Sequence, residues 1–312
     1  MRREGSPWQG LGVVVLKELS DHLSSARMRV LEWLVVLVAV AAVYGAITQV
    51  RDATAEDPFL FLRLFTTARQ PLPSFVAFLS FLVSLMAIGL GFDAVNGEHS
   101  RRTLSRILSQ PIYRDALLFG KFLAGLATLT ISLVVLWLLL IGLGLIMLGV
   151  PPGGEEIGRA LIFLLVAIAY AGVWLALAML FSIVFRSAAT AALATLGLWL
   201  FLTVIWPALA PAIAQAVVPS GDEATLVITA QMLARLSPST LFGETVLALL
   251  HPTTRTLGPV YLDQLQGAVM GAPLPLSQSI LVAWPQIVGL IAATILLFVG
   301  GYVAFQRQEV RA

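Results

Sequence analysis

Six long stretches without a charged side chain dominate this sequence: residues 33–50, 70–92, 122–154, 160–185, 187–221 and 280–306. They run from 18 to 35 residues. About 20 apolar residues in a helix cross the ~30 Å of a bilayer's hydrocarbon. Burying six such runs inside a soluble fold would demand a very large core. The composition argues against one: 59% of the 312 residues are hydrophobic and 12% are charged, whereas soluble domains average roughly 45–50% and about 25%. Mean hydropathy is +0.93. A typical soluble enzyme, a disordered chain and a nucleic-acid-binding domain are therefore excluded. The chain reads as all-α and polytopic, a single membrane domain over 1–312 with spans at 33–50, 73–95, 117–149, 160–185, 188–210 and 280–305.

Breakers refine these limits. The run Gly149-Val150-Pro151-Pro152-Gly153-Gly154 stops the third span. Pro207 and Pro211 end or kink the fifth, and Pro285 falls in the first turns of the sixth. Arg2 and Arg3 are followed by Lys17, Glu18 and Asp21 rather than an apolar core, so no cleaved signal peptide is expected. Orientation follows from loop lysines and arginines. With the N-terminus in the cytoplasm, 13 of the 19 fall inside; Arg51, Arg63, Arg69, Arg159, Arg235 and Arg255 fall outside. Both termini are then cytoplasmic, in a cell (inner) membrane.

Chemistry-bearing groups are sparse. Without cysteine there is no disulfide, no Cys-ligated zinc and no thiol nucleophile, and His22, His99 and His251 lie far apart. The spans lack the carboxylates and histidines that relay protons in coupled carriers. Gly89-Leu90-Gly91-Phe92-Asp93 resembles the Gly-x-Gly-Asp loop of intramembrane aspartyl proteases, but with one residue too many and no second carboxylate in another span. Gly120-Lys121 resembles the end of a phosphate-binding loop, yet Asp115 and Phe122 stand where that loop needs Gly and Ser or Thr. No catalytic residue, metal site or cofactor is expected in this chain.

Two cytoplasmic segments remain. Residues 11–30 place Leu11, Val15, Leu16, Leu19, Leu23, Ala26 and Val30 at helical spacing, with Lys17, Asp21, Ser24, Ser25 and Arg29 filling much of the other face. This is an amphipathic helix for the inner interface, either a simple anchor or a contact for a partner, with Lys17, Leu19 and Leu23 as its candidate contacts. Residues 96–115 carry a second, shorter helix. Leu104, Ile107 and Leu108 fall at i, i+3 and i+4, flanked by Arg101, Arg102 and Arg106, and Pro111 stops the helix. A topology signal explains the arginines but not the apolar stripe; a protein groove explains both.

The segments Phe92-Asp93-Ala94-Val95-Asn96-Gly97-Glu98, Thr103-Leu104, Leu108-Ser109-Gln110-Pro111-Ile112-Tyr113-Arg114 and Gly120-Lys121-Phe122 carry a resemblance. They are similar to the signature region of type-2 ABC transporter permeases, above all the group associated with multicopper-enzyme and nitrous-oxide-reductase maturation. This chain departs from that pattern with Arg102 at a usual Gly and Ile107 in a Leu-Leu pair. The resemblance covers about 30 residues by motif and the whole chain by layout. It implies a permease paired with a second permease subunit, in a homodimer, and with two copies of a separate ABC ATPase subunit, which binds the ATP and Mg. Glu98 to Ser109 would be the coupling helix, with Glu98, Arg101, Arg102, Leu104, Arg106, Ile107 and Leu108 at the ATPase.

Residues 218–279 are the largest non-membrane segment, expected outside. Residues 225–236 and 240–250 read as helices between stops at Pro238 and Pro252. Soft metal ligands there amount to His251, Met232 and Met270, too scattered to favour direct metal transport. Ala188, Ala189, Ala191, Ala192, Ala194 and Gly197 give the fifth span a small-residue face suited to a dimer seam. Thr128, Thr130, Ser132, Thr190, Thr195 and Thr203 could line a path or bond to their own backbones. The leading expectation is an exporter's permease subunit. A secondary carrier or channel, or a membrane scaffold that moves no solute, is the alternative.

Overall fold

The computed structural model describes residues 8, 10–50, 59–69, 73–100, 113–149, 151–219, 221–257 and 273–307. Among these are twelve α-helices and one π-helical turn, with no β-strand. Six helical stretches are long and apolar enough to cross a membrane: Ala26–Val50, Phe75–Glu98, Arg114–Leu148, Gly154–Val184, Ala188–Val217 and Leu276–Arg307.

Helix α1 (Leu11–Ser24) and helix α2 (Ala26–Val50) are separate, whereas the sequence pattern suggests one helix over 11–30. Ser25 divides them. Its backbone is extended at ψ 138°, and its Oγ accepts from the Met28 N–H at 3.2 Å, capping the first turn of α2. Short α3 (Leu60–Thr66) precedes α4 (Phe75–Gly91), which Ser74 caps through the Ala77 N–H. After α5 (Asn96–Ser100) comes α6 (Arg114–Leu148). Gly149 closes α6 at φ 70°, a left-handed angle that a side chain resists. Across Pro151 and Pro152 the chain reverses into α7 (Gly154–Val184), whose Glu156 caps its own first turn.

The fifth span is α8 (Ala188–Leu200), a π-turn (Phe201–Ile205) and α9 (Trp206–Val217). Pro207 lacks an N–H, and its ring crowds the carbonyl four residues earlier. The helix widens rather than stopping: the Trp206 N–H reaches back five residues to the Phe201 carbonyl. The final helix, α12 (Leu276–Arg307), begins early enough to place Pro285 in its interior, not its first turns.

Helix α7 is the hub. Trp174, Tyr170 and Phe163 are buried there, and α4, α6, α8 and α12 pack around it. Helices α10 (Glu223–Ala234) and α11 (Pro238–Leu250) lie in the segment expected to sit outside. Pro238 opens α11 instead of stopping a helix, as proline does at a first helical position. Phe242 of α11 stacks on Tyr170, with centroids 4.5 Å apart. Tyr170 lies 16 residues into α7, ~24 Å from its start at 1.5 Å per residue. Helix α11 therefore reaches back into the bundle, while α10 packs against α9.

Candidate functional site

The end of the bundle where α1 meets α6 is built around one lysine. Lys121 of α6 is only 5% exposed, and its Nζ contacts Glu18 Oε1 of α1 at 3.0 Å and Glu98 Oε1 of α5 at 2.7 Å. Gly120 makes this possible. A Cβ there would sit 2.6 Å from Val14 Cγ1, so only glycine lets α1 cross α6 this closely. Lys17 pairs with Glu18 and Asp21, each at 2.9 Å. Burial opposes the charge on Glu18, but Lys121 and Lys17 outweigh it and hold its carboxyl below the ordinary range. Burial likewise opposes the charge on Lys17, but its bonds to Glu18 and Asp21 prevail and raise it.

The neighbouring contacts extend this clasp. His22 Nδ1 lies 3.3 Å from Thr128 Oγ1, and burial pushes its imidazole down, toward the neutral form. Arg27 holds Asp93 through two bonds, at 3.0 and 3.3 Å, and lies over the Phe92 ring. The Val95 and Asn96 N–H groups donate to Ser182 Oγ near the end of α7. Tyr302 of α12 donates to Asp115 in the first turn of α6 at 2.9 Å. The segment entering residue 98 is thus tied to α1, α6 and α7.

Of the residues singled out from sequence, Glu98 sits in this clasp, Lys17 pairs along α1, Leu19 is half-buried and Leu23 is exposed. Arg101, Arg102, Leu104, Arg106, Ile107, Leu108 and Pro111 lie outside the described residues. Glu18, which the amphipathic pattern of α1 set on neither face, is buried, while Leu16 and Leu23 of the apolar stripe are 70% and 39% exposed to the surface of the bundle. Charge is turned inward because Lys121 waits there. Asp93 is likewise explained by Arg27, without any protease-like role.

Farther along, the guanidinium of Arg159 is fully buried in α7. It donates to Glu155 of its own helix, to the Leu249 carbonyl at 2.8 Å, to Ser279 Oγ at 3.0 Å and to the Leu274 carbonyl. These contacts fasten the end of α11 and the start of α12 to α7. Read from sequence, Arg159 is only a topology count. At mid-bundle, hydroxyls of Ser84, Tyr170, Ser239 and Thr203 form a chain with spacings of 2.9, 3.0 and 2.9 Å. It joins α4, α7 and α11 to the π-turn. Thr128, Thr130 and Thr195 bond to their own helix carbonyls instead. Among the described residues, no three of His, Asp or Glu cluster as metal ligands would.

These features can be set beside known proteins. Residues 13–310 match the family described as ABC-2 family transporter protein. The chain is 27% identical over 274 residues to a Pseudomonas aeruginosa protein described as "Probable ABC transporter permease protein NosY", covering 86% of both chains. A Stutzerimonas stutzeri protein of the same description is 27% identical over 199 residues, 62% of this chain and 66% of that protein.

Proposed function

The chain belongs to the ABC-2 family of transporter proteins, and we propose that it is the permease subunit of an ATP-driven exporter. In this reading it sits in the inner membrane with both termini in the cytoplasm and pairs with a second copy of itself. Two separate ATPase subunits bind ATP and Mg and supply the energy. Residues 98–109 dock in the ATPase, Leu104, Ile107 and Leu108 filling a groove and the arginines setting register. The described spans contain no proton-relay carboxylate cluster, and the sequence holds no phosphate-binding loop of its own.

The observation that carries the reading is the Lys121 clasp. A segment that receives force from a partner must be fastened to the spans it moves. Glu98, the first residue of that segment, is gripped together with α1 by the third span. Movement of the ATPase pair would then shift α1, α5 and α6 as one body. Small-residue packing on α8 offers a seam for the second copy.

The test replaces Leu104 and Leu108 with Asp. Each charge entering a desolvated groove costs several kcal/mol, and about 1.4 kcal/mol is tenfold in affinity. The membrane-inserted double variant should fail to copurify with the ATPase, while Arg106→Ala, a rim change, should lose less. Full retention of the ATPase and its transport-linked hydrolysis by the double variant would refute the coupling role.

A further inference from the structure

Helices α2, α4 and α6, with the end of α1, enclose a cleft of about 530 Å³, within the size range of small-molecule pockets. Nine of its twelve lining residues are apolar, so a fully polar ligand gains little there. Val35, Met86 and Leu136 are buried at its floor, and Trp33 and Val135 stand exposed at its rim.

The polar groups gather at one end. Ser132 Oγ of α6 donates to Glu32 Oε1 of α2 at 3.3 Å, bridging the two helices. The helices run the same way, since Gly144 of α6 meets Phe61, which lies beyond the end of α2. From the bridge an apolar trough therefore continues along both: Trp33, Val35 and Val36 follow Glu32, and Val135, Leu136 and Leu139 follow Ser132. Its length along α6 is ~10 Å at 1.5 Å per residue. Glu32 is half-buried and forms no ion pair among the described residues, although charges taken out of water are normally paired. Arg29 lies one turn before Glu32, away from the trough; it is exposed and is not paired with the carboxylate.

Charge and shape select the occupant. A calcium or magnesium ion takes about six or more oxygens, and this end offers only those of Glu32 and Ser132. An anionic amphiphile seated in the trough would bring its head against Glu32 before it reached Arg29. A cation carrying bulky apolar groups suits both surfaces. Its charge faces Glu32, its apolar groups displace water from the trough, and the ring of Trp33 at the rim attracts cations.

We propose that this cleft binds a bulky hydrophobic monocation, its charge against Glu32 and its apolar groups in the trough. Binding of this kind needs no ATPase partner, so the test uses the chain alone.

The purified full-length chain is held in an uncharged detergent. Equilibrium dialysis measures saturable binding of radiolabelled tetraphenylphosphonium and tetraphenylborate, which match in size and apolar surface and differ in sign. One phosphonium should bind per chain, and the borate about tenfold or more weakly. Glu32→Gln should weaken phosphonium binding about tenfold, the effect of losing one opposite charge ~6 Å away in partly screened surroundings. Glu32→Asp should keep most of the affinity. Arg29→Gln, which removes a like charge, should tighten binding. Val135→Trp, which fills the trough, should abolish it and serves as the deciding arm if Glu32→Gln does not fold. Equal binding of the two ions, phosphonium binding unchanged by Glu32→Gln or by Val135→Trp, or no saturable binding because a second copy of the chain closes the cleft would each overturn the proposal.

Discussion

Replacing Lys121 with Met tests the clasp directly. The side chains are similar in length, so packing is largely kept while the charge is lost. Glu18 and Glu98, whose side chains are 10% and 14% exposed, then lose the buried cation they share, and Glu18 is left to Lys17 alone. Removing one partner of a buried pair costs about 3–5 kcal/mol, because the remaining charge stays desolvated. If that cost is met by undocking α1, the helix is released about 10²–10³-fold more often, at tenfold per 1.4 kcal/mol. Amide hydrogen exchange in nanodiscs reads this: residues 14–24 should exchange at least a hundredfold faster, while α7 and α12 keep their protection. The triple variant Lys121→Met, Glu18→Gln, Glu98→Gln leaves no buried charge in the clasp and should recover most of the lost protection. If α1 exchange in Lys121→Met stays within twofold of the parent, the lysine does not hold α1. If the triple variant is as loose as the single one, the cost was not electrostatic.

Two further outcomes follow from the same contacts. The imidazole of His22 is held below its ordinary 6.5 by burial, so its neutral form stabilises the docked α1. That contribution is complete above pH 6.5 and is lost as pH falls through the lower folded value; Glu18 adds a loss of the same sign below 4.5. Exchange in α1 should therefore rise below pH 6.5, and His22→Gln should remove that first phase alone. Arg159→Lys keeps the charge but loses the five-donor fork, leaving a carbonyl at Leu249 or Leu274 unsatisfied at about 1–3 kcal/mol. Protease accessibility at residues 249–257 and 273–279 should increase with the Lys121 clasp unchanged.

The six spans and their breaks were legible because they depend on neighbours in the chain. Charge-free length, the Gly149–Gly154 breaker and the absent phosphate-binding residues need no tertiary information. The resemblance in residues 92–122 included Gly120 and Lys121 without explaining why a glycine and a lysine stand there. Gly120 is there because Val14 crosses it, and Lys121 because two carboxylates converge on it. Prolines were legible as irregularities but not in their outcome. Pro207 widened a helix into a π-turn and Pro238 began one.

Tertiary structure alone decided which apolar faces meet protein and which charges turn inward. In a soluble helix, polarity marks the outer face. In a bilayer both faces are apolar, so periodicity carries no such mark. Val35 and Leu37 are equally greasy, yet one is buried and the other 66% exposed. Glu18 and Lys121 stand 103 residues apart, and Arg159 and Ser279 120. No local pattern relates such pairs. They are fixed only when helix packing brings each buried charge to its partner, because in a low-dielectric interior an unpartnered charge is the more costly state.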